Sequence, residues 1–454
     1  MRILAGISSP SKVDLRQRSL ALIDDISAKP LQRFQLLCLT DLSPPVAKAS
    51  LPTKVQFMPA NSSSHPADLT HLAVAGYRSL QQLLLPLAGL TVVCGANGCG
   101  KSNLYRSLGL ISAAARGDLV AALAAEGGLP ALFWAGPQHT SAAMRCGEQP
   151  VQGNLRREGA RLRLGFAGKT LSYAIELGYR ADDQTSAFVL DPEIKREWIW
   201  AGGPFHPRSL LVQRSGAVVE RCGEGGSSRP LALEVSPHES LFTAVSDPLE
   251  APEVFQLRNT ILSWRFYDSF RTDRQAPARS GRIATRTPSL AGDGCDLAAA
   301  VQTILEIGDR DGLQAAIADA FPGCRLAVHT AQPLFRLQLH QPGLLRPLEA
   351  AELSDGTLRY LLLAAALFSP RLPPLLVLNE PENSLHPDLL LPLARLIGAV
   401  AERTQVWVVA HAEALITALE ATPGCRLLRL ERELGATVLP GQTVLERAAW
   451  RWPV

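Results

Sequence analysis

"LTVVCGANGCGKS", residues 90–102, is the stretch that decides the fold of this chain. Its first five residues are apolar or β-branched, which is typical of a short buried strand. The next eight fit the pattern G-x-x-x-x-G-K-[ST], in which glycines let backbone N–H groups curl around phosphate oxygens. A helical stretch follows, and the N-terminus of a helix favours negative charge. The stretch therefore predicts a strand, a phosphate-binding loop and a helix.

The loop also predicts individual phosphate ligands. Lys101 would reach the β- and γ-phosphates of ATP, and the Ser102 hydroxyl would bind Mg²⁺. A glycine-rich turn with an incidental lysine is the alternative, and the strand before it and the helix after it argue against that interpretation. The Cys99 side chain is interpreted as a small filler rather than a redox-sensitive group. The candidate phosphate contacts are Gly95, Ala96, Asn97, Gly98, Cys99, Gly100, Lys101, Ser102 and Asn103.

The composition is that of a globular protein. The chain has 454 residues, of which 47% are hydrophobic and 19% charged, enough apolar material for one large domain or several ordinary ones. A formal net charge of +3 is too small to require a nucleic-acid partner. No run approaches the ~18–20 apolar residues of a membrane helix. Eight cysteines without a Cys-x-x-Cys pair favour a reducing compartment. We expect a cytoplasmic protein that has no membrane segment.

Three motifs follow near the other end of the chain. "LSDGT", residues 353–357, precedes an apolar helix, and by itself it predicts only a helix cap. "LLVLNEPENSLHP", residues 375–387, is a buried strand that ends in Asn379 and Glu380, and a second buried strand ends in His411. Glu380 lies 26 positions after Ser354 and 31 positions before His411. The order of the motifs, rather than any one of them, indicates a nucleotide-hydrolysing protein.

With these motifs the chain resembles ABC-type ATPases of the RecF/SMC-like branch, close to bacterial predicted AAA-family or RecF-like ATPases. The resemblance covers the two ends of a domain at about residues 68–430. It implies an α/β fold: a P-loop NTPase of ABC type with a mixed sheet and a large α+β insertion between the phosphate loop and the signature motif. The matching stretches are "LAVAGYRSL", "GANGCGKSN", "ELSDGT", "LLVLNEPENSLHP" and "TQVWVVAHAEALI".

The resemblance also implies how the site works. In this family two chains dimerise around ATP, and the phosphate loop of one chain faces the signature motif of the other. Glu380 would then polarise the attacking water and His411 would sense the γ-phosphate, so both are expected to be catalytic. Residues 384–386 would form the loop that crosses the dimer interface. The signature residues in trans would be Leu353, Ser354, Asp355, Gly356 and Thr357, with Ser354 and Gly356 on the γ-phosphate.

The sequence departs from the family pattern in three places. Asn379 replaces the usual aspartate; its amide oxygen can accept a hydrogen bond but adds no charge, so we assign it to Mg²⁺ through a water. Ala412 follows the histidine where a serine is common. The glutamine loop is not obvious, and Gln138 is the candidate for it and for a further Mg²⁺ ligand. Because Glu380 is present, we expect a live ATPase with ATP and Mg²⁺ as cofactors.

Four segments are expected along the chain. Residues 1–67 form a poorly ordered N-terminal extension; a translation start at Met58 or a loosely packed extension are the alternatives. Residues 68–180 form the N-terminal part of the ATPase, residues 181–345 an inserted α+β arm, and residues 346–454 the C-terminal part. Hairpins are predicted at residues 161–179 and 209–222. Within the arm, residues 253–270 are predicted to be helical and to lead into an arginine-rich loop.

Residues 264–286 are the candidate DNA surface. They contain six arginines, two aspartates and four aromatic residues, and arginines can neutralise phosphates while aromatic rings stack on bases. We favour the opposing interpretation, in which the aromatic residues belong to the core and the arginines to a solvated loop. The expected function is ATP hydrolysis coupled to DNA transactions in repair or defence; the alternative is a non-catalytic, ATP-gated scaffold that recruits an effector protein. The arginines are Arg265, Arg271, Arg274, Arg279, Arg282 and Arg286.

Overall fold

The structure is a computed structural model, and it describes most of the chain after the N-terminal segment. The described residues are 69–137, 141–152, 160–179, 187–188, 190–223, 227–268, 270–331, 333–442 and 450–453. The expected N-terminal extension (residues 1–67), the alternative start at Met58 and the metal candidate Gln138 lie outside the described residues. Those three expectations stay predictions.

The described residues form several sheets together with helices, which confirms the expected α/β class. The strands are β1 (Leu69–Tyr77), β2 (Leu80–Pro86), β3 (Leu90–Gly95), β4 (Leu162–Gly168), β5 (Leu171–Tyr179), β6 (Pro192–Ala201), β7 (Leu210–Ser215), β8 (Val218–Cys222), β9 (Ser228–Pro230), β10 (Arg265–Tyr267), β11 (Arg282–Ile283), β12 (Arg325–Ala331), β13 (Leu334–His340), β14 (Leu348–Glu349), β15 (Leu375–Asn379), β16 (Gln405–Val409), β17 (Cys425–Glu433) and β18 (Ala436–Val438). The helices are α1 (Lys101–Arg116), α2 (Leu119–Ala125), α3 (Gly128–Leu132), α4 (Ala142–Arg145), α5 (Leu241–Ala244), α6 (Pro252–Leu262), α7 (Leu297–Ile307), α8 (Arg310–Ala320), α9 (Asp355–Leu367), α10 (Leu390–Ala401) and α11 (Glu413–Glu420).

A six-stranded sheet carries the motifs. Its order is β10-β15-β16-β3-β17-β18, and every neighbouring pair is parallel except β17 with β18. Strands β15, β16 and β3 are buried and apolar, as expected for a parallel sheet covered on both faces. The carboxyl ends of parallel strands meet at one edge, so the phosphate loop after β3, Asn379 at the end of β15 and His411 just after β16 share that edge.

A second, antiparallel sheet has the order β2-β1-β4-β5-β6-β7-β8-β9. Its centre holds a fully buried ion pair, in which Arg214 donates to Glu197 over 3.1 Å and the hydroxyls of Tyr173 and Ser240 also donate to that carboxylate. Burial of both charges requires these partners, because an unpaired buried charge is strongly destabilising. The sheet contains strands from both sides of residue 180, where the sequence analysis divides the ATPase from the arm. The four-segment division stays a prediction.

The third sheet lies before the signature motif. Strand β13 is its centre and pairs antiparallel with β11, β12 and β14. Apolar residues of this sheet and of helices α7 and α8 join one core cluster with α9, α10 and the parallel strands. The helix that begins at the signature motif is therefore packed on the same core as the strand that carries Glu380.

One expected element is wrong in its second half. Residues 253–270 were predicted to be helical, but α6 ends at Leu262 and residues 265–267 form the edge strand β10. Phe266 and Tyr267 have the aromatic side chains that favour strands, and parallel pairing with β15 decides their conformation. In contrast, the expected hairpins at 161–179 and 209–222 are confirmed as β4–β5 and β7–β8.

No helix within the described ranges is long and apolar enough to cross a membrane.

Candidate nucleotide site

The phosphate loop has a backbone shape that only glycine adopts without strain. Gly95, Gly98 and Gly100 have φ angles of 146°, 78° and 108°. A Cβ atom on Gly95 would lie 2.3 Å from the carbonyl oxygen of Leu430, and one on Gly100 would lie 2.1 Å from Oγ1 of Thr437. Close approach of β17 and β18 therefore adds a second reason for glycine at the two ends of the loop.

Lys101 begins helix α1 and is buried against the loop. Its Nζ donates to the carbonyl oxygens of Gly95 at 2.6 Å and Ala96 at 3.0 Å, so the ammonium group lies across the loop. Residues 96–98 and Ser102 are exposed. The arrangement presents a cationic group, exposed loop backbone and a helix N-terminus on one side, which is the chemistry that binds a polyphosphate.

A network behind the loop holds its far end in place. The Thr437 hydroxyl on β18 donates to the carbonyl oxygen of Cys99 at 2.7 Å and lies 2.8 Å from Oγ of Ser79. The Asn103 amide donates to the same Ser79 oxygen at 2.9 Å. Asn103, an expected phosphate contact, thus uses its side chain to secure the loop. Sequence reasoning missed the roles of both hydroxyls: Ser79 lies in the matching stretch "LAVAGYRSL" but had no role assigned, and Thr437 lies in none of the motifs.

Glu380 follows β15 in a left-handed conformation with φ of 47°. Its backbone N–H donates to the Val409 carbonyl at 2.8 Å. One carboxylate oxygen lies 2.9 Å from Nε2 of His411, and the other accepts a hydrogen bond from the Asn383 amide at 2.7 Å. The structure therefore brings the two expected catalytic residues together. The strained backbone conformation is held by surrounding bonds, as is common at functional sites.

Two buried groups that sequence reasoning missed support this pair. Glu382 accepts hydrogen bonds from the backbone N–H groups of His411 and Ala412, and so positions the turn after β16. Arg359 of helix α9 donates to the Glu380 carbonyl oxygen at 3.1 Å. Burial lowers the pKa of Arg359, while the nearby carboxylates, Glu382 foremost, act in the opposite direction. The motif letters around Glu380 point to neither role.

Asn379 has an acidic neighbour from another strand. Tyr267 of β10 pairs with Leu378 of β15, so Asp268 comes level with Asn379. The Asn379 amide nitrogen donates to Oδ1 of Asp268 at 2.6 Å. The amide oxygen of Asn379 is buried and makes no hydrogen bond within the described structure. Sequence reasoning missed Asp268, because it treated residues 253–270 as helical and thereby placed it away from the sheet.

The signature segment forms the start of helix α9. Ser354 caps the helix by accepting a hydrogen bond from the Thr357 N–H at 3.1 Å, and Leu353 is buried while Ser354 and Asp355 are exposed. A Cβ atom on Gly356 would lie 2.7 Å from the carbonyl oxygen of Ser384, so glycine permits contact with the segment 384–386. Among the described residues, no hydrogen bond or ion pair joins this signature segment to the phosphate loop of the same chain.

The aromatic residues of the arginine-rich segment belong mainly to the core. Trp264, Tyr267 and Phe270 are each 5% exposed or less, which confirms the favoured interpretation of these aromatic rings. Arg265 donates to carbonyl oxygens at the end of α6. Arg279 donates to the Leu353 carbonyl at 2.7 Å and to the Asp355 carboxylate at 2.6 Å.

The other four arginines lie on the surface. Arg271 pairs with Asp273, and Arg286 pairs with Glu306. The guanidinium groups of Arg274 and Arg282 are exposed and form no hydrogen bond or ion pair with any described residue. Arg282 pairs with Phe335 through its backbone, and its charge contributes to lowering the pKa of Asp293.

The residues present fit a nucleotide with its divalent cation. The glycine loop and Lys101 suit phosphates, while the exposed Ser102 hydroxyl, the unpartnered Asn379 oxygen and the Asp268 carboxylate are the hard oxygen donors that Mg²⁺ prefers. Mg²⁺ commonly takes one or two carboxylates together with substrate phosphates.

Comparisons with known proteins found a matching family model and similar solved structures. The chain is similar to an SMC head domain bound to the C-winged helix domain of ScpA, with 12% identity and a TM-score of 0.45 over 84% of this chain and 99% of that one. It is similar to the SMC head domain from Thermotoga maritima, with 14% identity and a TM-score of 0.38 over 83% of this chain and 100% of that one. It is also similar to the Smc head domain from Pyrococcus furiosus, which has an extended coiled coil and is bound to the C-terminal domain of ScpA, with 11% identity and a TM-score of 0.41 over 84% of this chain and 97% of that one. No curated protein matches the chain. The family model described as "AAA domain, putative AbiEii toxin, Type IV TA system" matches residues 90–415. The chain is therefore a member of this AAA-domain family.

Proposed function

We propose that this protein binds ATP with Mg²⁺ and hydrolyses it in a dimer, with two sites that each combine residues of both chains. One observation carries the proposal: Glu380 and His411 are 2.9 Å apart at the sheet edge that also carries the phosphate loop. A carboxylate oriented by two side chains beside a polyphosphate site is placed to act on a water molecule.

Each side chain has a defined task in this proposal. Lys101 leaves its loop carbonyl partners and binds the β- and γ-phosphates, while the loop N–H groups hold the remaining oxygens. Glu380 accepts a hydrogen bond from the attacking water and orients it, and His411 contacts the γ-phosphate. Mg²⁺, when bound with ATP, supplies charge neutralisation at the phosphates, held by Ser102 and, through water, by Asn379.

The exposed signature segment supports a dimer. The first turn of α9 presents Ser354 and backbone N–H groups to solvent, and a helix N-terminus with a hydroxyl suits a phosphate group. Because this turn forms no hydrogen bond or ion pair with the phosphate loop of its own chain among the described residues, we infer that a second chain is the source of the opposing loop. Closure in the ATP state would then follow from contacts that only the γ-phosphate makes.

Phosphate release tests the enzymatic part. Glu380→Gln should lower the rate of ATP hydrolysis by about 10²–10⁴-fold while ATP binding persists, because the amide cannot act as a base. Glu402→Gln, on the exposed end of α10, is the matched control and should hydrolyse normally. A wild-type protein that binds ATP but releases no phosphate contradicts the proposal and indicates the alternative, an ATP-gated scaffold that recruits an effector protein.

Coupling to DNA is proposed through Arg274 and Arg282, the two arginines of this segment whose guanidinium groups form no hydrogen bond or ion pair with a described residue. Each phosphate contact adds roughly one unit to the slope of log affinity against log salt. The double variant Arg274→Ala/Arg282→Ala should therefore bind duplex or single-stranded DNA with a slope smaller by about two. A wild-type slope near zero would exclude DNA at this segment. Arg271→Ala is the control, because Arg271 is already paired with Asp273.

A further inference from the structure

We propose that Asp268 supplies, from the neighbouring strand β10, the acidic group that Asn379 lacks at the end of β15, and that it positions the Mg²⁺ of bound ATP. This inference rests on the proposed ATP binding and names a residue outside every motif of the sequence. The two residues lie 111 positions apart in the chain, at the ends of the adjacent strands β10 and β15.

The direction of the hydrogen bond follows from the chemistry of the two groups. An ionised carboxylate only accepts, so the Asn379 amide must turn its nitrogen towards Asp268. The Asn379 amide oxygen then has a fixed orientation, buried and without a partner in the described part of the site. The pair presents one neutral oxygen from β15 and one charged carboxylate from β10. Together they carry the same single negative charge as an aspartate at position 379 would, but the charge lies at the end of β10 instead of at the end of β15.

Charge around Asp268 favours a cation. Asp268 is exposed, and no lysine, arginine or histidine of the described residues forms an ion pair with it. Its carboxylate contributes to raising the pKa of Tyr105 on helix α1, after the larger effect of burial, so its negative charge acts on the helix that follows the phosphate loop. Asp268 also acts on the buried cation Arg359, but it shares that cation with Glu382 and Glu380, since all three carboxylates act to raise the pKa of Arg359 against the larger effect of burial. Three carboxylates thus face one guanidinium. A carboxylate with spare acceptor capacity on this edge can hold a water on Mg²⁺.

A purely structural role predicts a different behaviour. If Asp268 only caps the edge of the sheet, its replacement should weaken nucleotide binding whether or not a divalent cation is present. If it acts through the cation, replacement should weaken binding only when the cation is present. Without the cation, removal of a negative charge near the triphosphate should leave ATP affinity unchanged or higher.

The experiment uses the full chain and a non-hydrolysable ATP analogue with Mn²⁺, whose binding is followed by electron paramagnetic resonance. Asp268→Asn should weaken Mn²⁺ affinity in the ternary complex by about 10- to 100-fold, the usual effect of losing an outer-shell partner. Analogue affinity in EDTA should not fall. The charge exchange Asp268→Asn/Asn379→Asp should recover most of the Mn²⁺ affinity, because it returns one acid and one amide to the pair.

Asp273→Asn is the matched control, since Asp273 lies on the same loop and pairs with Arg271. Thermal unfolding without nucleotide checks that each variant is folded. Unchanged Mn²⁺ affinity in Asp268→Asn, an equal loss in Asp273→Asn, a loss that persists in EDTA, or an exchange variant that recovers nothing each overturns the inference. Failure of the wild type to bind the analogue at all overturns the proposed function instead, so the two failures are distinguishable.

Discussion

Arg279 joins the arginine-rich loop to the start of the signature helix. Its side chain is 8% exposed although it belongs to the segment with six arginines, and it donates to the Leu353 carbonyl and the Asp355 carboxylate as well as to the Thr272 carbonyl. A guanidinium has five donors in a fixed fork, so one side chain can hold several acceptors in place. At this position an arginine that the sequence offers as a DNA contact instead shapes the signature segment.

Arg279→Ala should lower the free energy of unfolding by about 1.5–3 kcal/mol, because hydrogen bonds to a charged group are lost and the buried carbonyls are left unpaired. ATP hydrolysis should fall with it, while ATP binding by the phosphate loop should persist. Urea denaturation and phosphate release measure the two effects. Arg274→Ala, on the same loop and exposed, is the control and should change neither; equal behaviour of the two variants would refute the positioning role.

At the scale of elements, the β17–β18 hairpin completes the phosphate loop. Strand β17 pairs with β3 up to Leu430 and Gly95, and β18 places Thr437 against the Cys99 carbonyl. The hairpin therefore contacts the loop at its first residue, Gly95, and near its other end, at Cys99. A loop rich in glycine has many accessible conformations, so support of this kind reduces the entropy that ordering the loop costs when it binds phosphate.

Thr437→Val should weaken ATP binding by about 5- to 10-fold, which corresponds to the ~1–1.4 kcal/mol of one net hydrogen bond. The shape of the side chain is kept but the donor to the Cys99 carbonyl is lost. Thr437→Ser retains the hydroxyl and should bind nearly as the wild type. Isothermal titration with ATP measures the difference; a valine variant that binds like the serine variant would contradict the role of this hydrogen bond.

At the scale of the whole molecule, the site draws on strands that are far apart in sequence. The phosphate loop follows β3, Asp268 follows β10, Glu380 follows β15 and His411 follows β16. One sheet edge collects all four, while the signature segment at the start of α9 forms no hydrogen bond or ion pair with the phosphate loop among the described residues. A two-fold symmetric dimer would use this arrangement twice, with each chain giving its loop to one site and its signature to the other.

Mixing two inactive variants tests the shared sites. Lys101→Ala removes the ammonium group that is proposed to bind phosphate, and Ser354→Arg places a bulky cation at the signature segment. Each variant alone should hydrolyse almost no ATP. An equal mixture should recover up to about a quarter of the wild-type rate, because half of the dimers are mixed and each contains one intact composite site. Phosphate release from the mixture, against each variant alone, is the measurement. A mixture as inactive as its parts argues against composite sites.

Much of the fold could be predicted, because the responsible signals are local. The sequence pattern predicted the strand at 375–379, the strand before His411 and the hairpins at 161–179 and 209–222. The glycines of residues 95–100 predicted the phosphate loop. The helix expected through residue 270 could not be corrected from the sequence. A three-residue edge strand carries too little periodicity to distinguish it from a helix end, and only its parallel pairing with β15 settles its conformation.

The sequence alone predicted the phosphate loop, because the loop is one contiguous motif. It also predicted Glu380 and His411 as site residues, because each follows a strongly apolar strand. The tertiary structure decided the partners: Asp268 for Asn379, 111 positions away, and Thr437 for Cys99, 338 positions away. The physical reason is that strand order in a sheet is set by packing over the whole core. Local patterns indicate where a strand lies, and only the folded core places another strand beside it.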